Sequence, residues 1–276
     1  TARLGYISEF ILSELLGVPF EIISDRRKLG KSPVINYSNE EIKGTFKIIP
    51  SGFLSETGIR NLNLSVTWWK GLPVFFQSDG QSDFPFDIFS ATFFLMTRYE
   101  EYLDFEPDIH GRFPASSSLA FRHGFLQKPV INLWVKELAR LLILKFPNVV
   151  FKRNIFTAII TFDVDEPFKY LGKDMFRNIG GFLRDIGKKD TDALERYRIV
   201  SRKQKDPWDV FDYIFSRTIE NSNRIIIFFP VGDRTDYDRW PSYQHDDYRK
   251  LIAEIAGKTK TGLHPSYYSC GNASKL

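Results

Sequence analysis

Apolar residues recur along this chain in two rhythms, and the change between them falls near the middle. In the first part helical and strand-like spacings are interleaved. Tyr6–Leu16 repeats at helical spacing and meets a stop at Gly17. Phe20–Ser24 and Phe46–Ile49 are short apolar runs that predict strands. Thr67-Trp68-Trp69 and Val74-Phe75-Phe76 predict two more, joined by the turn Lys70-Gly71-Leu72-Pro73. Asp87–Leu103 predicts a strongly apolar helix. Asp87 serves as its N-cap, and the charged segment Arg98-Tyr99-Glu100-Glu101-Tyr102 closes it. Asn132–Lys145 carries Leu133, Trp134, Leu138, Leu141, Leu142 and Leu144 at helical spacing and stops before Pro147, where helices tend to end. A domain seam is expected at Phe146-Pro147-Asn148.

After the seam the rhythm is strand, helix, strand, helix, strand. Ile155–Phe162 is a continuous β-branched run, as in a buried strand. Asp206-Pro207 opens a helix whose face is Trp208, Phe211, Phe215, Thr218 and Ile219. Arg224–Val231 predicts a second buried strand. Asp246–Ala256 predicts an amphipathic helix stopped by Gly257, and Thr261–Ser266 a third strand. This alternation belongs to a parallel sheet or barrel. Three strands do not close a barrel, so the sequence reads as a truncated piece of a longer domain.

Composition narrows the classes. The 276 residues are 43% hydrophobic and 26% charged, which is ordinary globular usage and excludes a disordered or fibrous chain. At 16% aromatic the chain is rich in rings that can fill a core or stack on a ligand. The single cysteine, Cys270, excludes a disulfide framework. Net charge is +4, from 38 basic against 34 acidic residues. That balance is too mixed for a nucleic-acid footprint, so no nucleic-acid partner is expected. Arg26-Arg27-Lys28 and Arg202-Lys203-Gln204-Lys205 read as solvated loops. No apolar run is long enough to span a bilayer, and Glu9 and Glu14 interrupt the N-terminal apolar stretch, which is therefore no signal peptide. The visible chain favours the cytoplasm, although its start at Thr1 reads as trimmed.

Two segments carry candidate chemistry. In Thr161-Phe162-Asp163-Val164-Asp165 two carboxylates stand where a strand ends, which in parallel α/β folds is the rim of the site. Such a pair can divide into a metal ligand and a free base, or it can simply cap a helix and pair with Lys or Arg. In Gly262-Leu263-His264-Pro265-Ser266 the histidine ends the third strand on the same rim. Carboxylate with imidazole is a zinc-type donor set, whereas a lone histidine is more often structural. Asp233, Arg234 and Asp236 follow the second strand, and Asp233 and Arg234 are candidate substrate contacts. His110-Gly111-Arg112 forms a loop of the kind that often carries function. Arg98, Glu100 and Glu101 are expected to make local ion pairs.

Together these residues resemble the polysaccharide deacetylase family, of the carbohydrate esterase family four type. The first motif of that family has the form Thr-Phe-Asp-Asp or Asp-x-Asp, and the second His-(Ser/Thr)-x-x-His. The resemblance implies that Asp163 is the catalytic base and that Asp165 and His264 bind a divalent metal, namely zinc, cobalt or nickel. It implies metal-assisted hydrolysis of an acetyl group on a sugar polymer. Tyr268 stands where the second motif histidine belongs, which leaves two protein ligands; Tyr268 becomes a weak substrate-contact candidate instead. The whole chain is also similar to bacterial proteins of surface-polysaccharide or O-antigen loci. Pro85–Phe89, Arg98–Tyr102, His110–Phe113 and the Phe168–Arg184 stretch carry that likeness. The implied fold is α/β, with an N-terminal mixed α/β domain over residues 1–150. Residues 151–276 would form the first portion of a distorted (β/α) barrel. The competing reading is a catalytically degenerate carbohydrate-binding or scaffold module.

Overall fold

A computed structural model describes the chain except residues 79, 153–154, 173–178, 184–185, 187–191, 219–224, 233–234, 239, 271 and 276. Helices and sheets are mixed, giving an α/β protein of two compact units, Thr1–Asn154 and Ile155–Leu276.

The first unit begins with α1 (Ala2–Ser8), capped by Thr1 and continued as a π-helical turn over Glu9–Leu15. Gly17 follows at φ +66°, where a Cβ would lie 2.3 Å from the Lys152 side chain. Glycine is needed there both for its backbone angle and for the close approach. Strands β1 (Ile35–Tyr37) and β2 (Phe46–Ile48) pair in parallel. Phe20–Ser24 is not a strand, and Ile22 is 51% exposed. Its backbone has no neighbouring strand to bond among the described residues, and β1 holds the place beside β2 instead. Strands β3 (Thr67–Trp69) and β4 (Leu72–Val74) form an antiparallel hairpin with a tighter turn than its sequence suggests. Lys70 and Gly71 alone make it, both at positive φ (+51° and +74°), which matches the twist of a two-residue hairpin.

Helix α2 (Ile88–Met96) is buried on every side through its first two turns. It ends earlier than expected because Arg98 adopts φ +52° and the chain continues as a 3-10 turn, Tyr99–Tyr102. That turn points Tyr99 into the core, where its hydroxyl accepts the backbone N–H of Arg60 at 2.9 Å. Short α3 (Leu119–Arg122) leads to α4 (Val130–Lys145), whose Trp134 is fully buried and donates from Nε1 to the Pro73 carbonyl at 2.9 Å. Phe75, Phe86 and Trp134 meet edge to face, a geometry that contributes beyond simple burial.

A buried carboxylate ties these pieces together. Asp87 caps α2 by accepting the Ser90 N–H at 3.0 Å on Oδ1. Its Oδ2 accepts the Tyr37 hydroxyl at 2.8 Å, the Ser51 N–H at 2.8 Å, and the hydroxyls of Ser51 and Ser90 at 3.0 and 2.6 Å. Burial, and then the charge of Asp87, push the Tyr37 phenol well above its ordinary value. Strand β1, the loop at Ser51 and helix α2 thus share one acceptor.

In the second unit, β5 (Ile160–Asp163), β6 (Ile225–Pro230) and β7 (Lys260–His264) form a parallel sheet in the order β5-β6-β7. Helices α5 (Asp192–Val200), α6 (Phe211–Thr218) and α7 (Asp246–Ala256) lie between the strands in sequence. No closed barrel is formed among the described residues. The middle strand buries Ile225, Ile227 and Phe229 against Phe211, Tyr248, Leu251 and Ile255. The Tyr248 hydroxyl donates to the Pro230 carbonyl at 2.9 Å. Strand β5 is shorter and more open than its apolar run suggests, because the run enters the sheet only at Ile160; residues 155–159 before it are irregular and exposed, Ile155 and Phe156 by 85% and 88%. The helix expected at Asp206 begins only at Phe211. Asp206 is buried and spends its carboxylate on the N–H groups of Lys169, Tyr170, Leu171 and Trp208 at 2.8–3.1 Å, fastening a distant loop. Ile219 lies outside the described residues, and the Phe168–Arg184 stretch is described only in part.

Replacing Asp87 by Ala strands several buried donors and removes a helix cap, so a loss of about 2–4 kcal/mol is expected for the first unit. Urea unfolding monitored by hydrogen exchange in α2 and β1 would measure it. An unchanged midpoint would mean that the network is dispensable.

Candidate active-site rim

The site lies at the carboxyl ends of the parallel strands. Pairing places Asp163 opposite Phe228 and Pro230 opposite His264, so β6 carries the rim from one edge of the sheet to the other. The ladder continues one residue past β5, with Val164 N–H donating to Phe228 O at 3.0 Å. Val164 is buried, while Asp163 and Asp165 on either side of it are exposed. Alternation along extended chain places both carboxylates on the side opposite Val164.

His264 is the last residue of β7. Its Nε2 stands 3.9 Å from Oδ1 of Asp165, whose side chain is 82% exposed. The other nitrogen, Nδ1, is buried without a hydrogen-bond partner among the described residues. Trp240 packs edge-on to the imidazole at 5.9 Å and donates from Nε1 to Gly232 O at 3.0 Å. The indole therefore links the loop after β6 to the end of β7. Gly232 permits this closeness, since a Cβ there would lie 2.9 Å from Cβ of Ser266.

Tyr268 lies in a 3-10 turn, Tyr267–Ser269, and is 48% exposed. Its ring meets Tyr267 and Tyr237 at 5.3 and 6.4 Å, with the Lys275 ammonium 5.9 Å from its centroid. Asp233 and Arg234 lie outside the described residues. Among the described residues no group of three or more His, Cys, Asp or Glu side chains is placed to hold a metal.

Trp240, Gly232 and Asp238 belong to this region and were not singled out from sequence. Asp238 is buried, and its Oδ2 accepts the Tyr267 N–H at 2.8 Å and the Thr235 hydroxyl at 2.7 Å. Thr235 Oγ1 in turn accepts the N–H groups of Tyr237 and Asp238. The run Thr235-Asp236-Tyr237-Asp238 carries the hydroxyl-to-backbone turn signal that could have drawn attention to it.

The polar candidates of the first unit have local roles. Asp108 accepts the N–H groups of Arg112 and His110 at 2.9 and 2.8 Å, and these bonds hold its carboxyl below the usual range. Arg98 pairs with Glu101. Glu100 caps α3 by accepting the Leu119 N–H at 2.7 Å, with burial raising its carboxyl above the ordinary value.

The chain is thus an α/β protein whose parallel sheet gathers two carboxylates and an imidazole at its strand ends. Residues 1–147 match the model of the family of unknown function DUF7033, and the chain belongs to that family. No curated protein and no solved structure matches it. No described helix is long and apolar enough to cross a membrane.

Gly232→Ala is expected to destabilise the second unit by about 1–3 kcal/mol through overpacking against Ser266. Faster hydrogen exchange in β6 and β7 would register it; wild-type protection would show that the loop can yield.

Proposed function

We propose that residues 155–276 form part of a divergent deacetylase-type (β/α) barrel. It removes an acetyl group from a sugar of a surface polysaccharide, with Asp163 as base and Asp165 and His264 as ligands of a divalent metal. The observation that carries this reading is the 3.9 Å approach of Asp165 Oδ1, just past the end of β5, to His264 Nε2 at the end of β7, across the end of β6. Two ligands about 2.05 Å from a tetrahedral zinc stand roughly 3.3 Å apart, so the separation is a little wider than a closed bite. The donor types suit zinc, cobalt or nickel, while the number of protein donors falls one short of the usual three. The sequential strand order is also that of a barrel wall.

Asp165 and His264 would hold the ion, which would supply Lewis-acid polarisation of the acetyl carbonyl. The carboxylate of Asp163 accepts the proton of the attacking water, and Trp240 holds the imidazole against the rim. A sugar-binding or scaffold module without catalysis is the second reading. Tyr268 in the ligand position favours it, as does His264 Nδ1, which has no hydrogen-bond partner among the described residues, because a ligating imidazole ordinarily donates its second N–H to an acceptor.

Elemental analysis after incubation with excess zinc is expected to find about one metal per chain in the wild type, lost in Asp165→Ala and in His264→Ala. A metal-free wild type would overturn the hydrolytic reading. Asp163→Asn should keep the metal and lower acetate release from an acetylated glycan by about 10²-fold or more. Retained activity in that variant would remove Asp163 from the role of base.

A further inference from the structure

Three tyrosines stand together on the same rim. Tyr237, from the loop after β6, stacks on Tyr267 at 4.2 Å with 28° between planes, and Tyr268 meets Tyr267 edge-on at 86°. Tyr237 is 60% exposed and Tyr268 48%. Isolated exposed rings need no explanation, but these come from two separate loops and are held in place. The buried Asp238 carboxylate binds the Tyr267 N–H and the Thr235 hydroxyl, and Thr235 binds the Tyr237 N–H. Two loops are thereby joined by bonds that fix the stack while leaving ring surface in solvent.

We infer that Tyr237, Tyr267 and Tyr268 form a stacking platform for a pyranose ring of the glycan, with Asp238 as its positioning residue. This rests on the reading of the rim as a carbohydrate site and adds the surface that would hold the polymer. A pyranose offers an apolar C–H face bordered by hydroxyls. The phenols offer a matching apolar face with hydroxyls at its edge. The carboxylates of Asp163, Asp165 and Asp236 share this rim with the Lys275 ammonium, 5.9 Å from the Tyr268 centroid, so it is the ring geometry and not the charge that points to a sugar, and a phosphate-bearing ligand such as a nucleotide is the alternative to be tested.

Calorimetric titration with tetrasaccharides of N-acetylglucosamine and N-acetylgalactosamine, and with AMP, tests the platform. Saturable binding of at least one sugar is expected. It should weaken about tenfold in Tyr237→Ala and in Tyr268→Ala, and persist in Tyr268→Phe, which keeps the ring. Wild-type protein stripped of metal by chelation should bind sugar within about threefold of the zinc-loaded protein, so the platform and the metal site fail separately. Asp238→Asn, checked for native circular dichroism, should weaken binding while leaving metal content unchanged. Absence of saturable sugar binding, unchanged affinity in folded alanine variants, or preferential binding of AMP would each overturn the platform.

Discussion

The middle strand of the parallel sheet is the constraint on which the candidate site depends. Asp165 and His264 belong to segments far apart in sequence, and neither β5 nor β7 touches the other in the sheet. They meet because both pair with β6, whose Ile225, Ile227 and Phe229 are buried against α6 and α7. Burial of that face contributes of the order of a few kcal/mol per large side chain. It also sets the register, since a one-residue slip would turn the whole buried set to the opposite face. Phe228, on the other side of the strand, lies over Gly262, where a Cβ would come within 2.4 Å of its ring. Packing on both faces of β6 therefore determines which residues stand at the rim.

The first unit is organised by a different device. Its helix α2 is apolar on every side, and helical periodicity cannot orient such an element. Orientation comes from Asp87, which accepts donors from α2, β1 and the Ser51 loop at once. A buried carboxylate is tolerated only when fully hydrogen-bonded, which makes the network strict about geometry. Asp206 repeats the arrangement in the second unit, where one carboxylate collects three successive N–H groups of the Lys169–Leu171 loop. In both units a sequence signal for a helix cap marks a residue that also fastens a remote segment.

Much of the element pattern was legible. The helices at Val130–Lys145 and Asp246–Ala256 have one apolar stripe each, and strands β6 and β7 stand within a residue or two of their apolar runs. The failures have physical causes. Phe20–Ser24 has strand composition without a partner strand among the described residues, and β1 gives no readable signal because three residues carry little periodicity. The Asp87 helix ended early because burying Tyr99 required a left-handed residue at Arg98. Ile155–Phe162 looked buried from its composition, but burial depends on what lies alongside, and most of that run is exposed.

What the sequence by itself determined is local. It marks an α/β alternation after the seam, carboxylates at one strand end, an imidazole at another, and caps at Asp87 and Gly257. These follow from side-chain periodicity and backbone preference, which act within a few residues. Only the tertiary structure decided that Asp165 and His264 face each other at 3.9 Å, that Trp240 backs the imidazole, and that Asp238 joins the Tyr237 and Tyr267 loops. Those relations depend on strand register and on hydrogen bonds between segments distant in sequence, and no short window of the chain contains both partners.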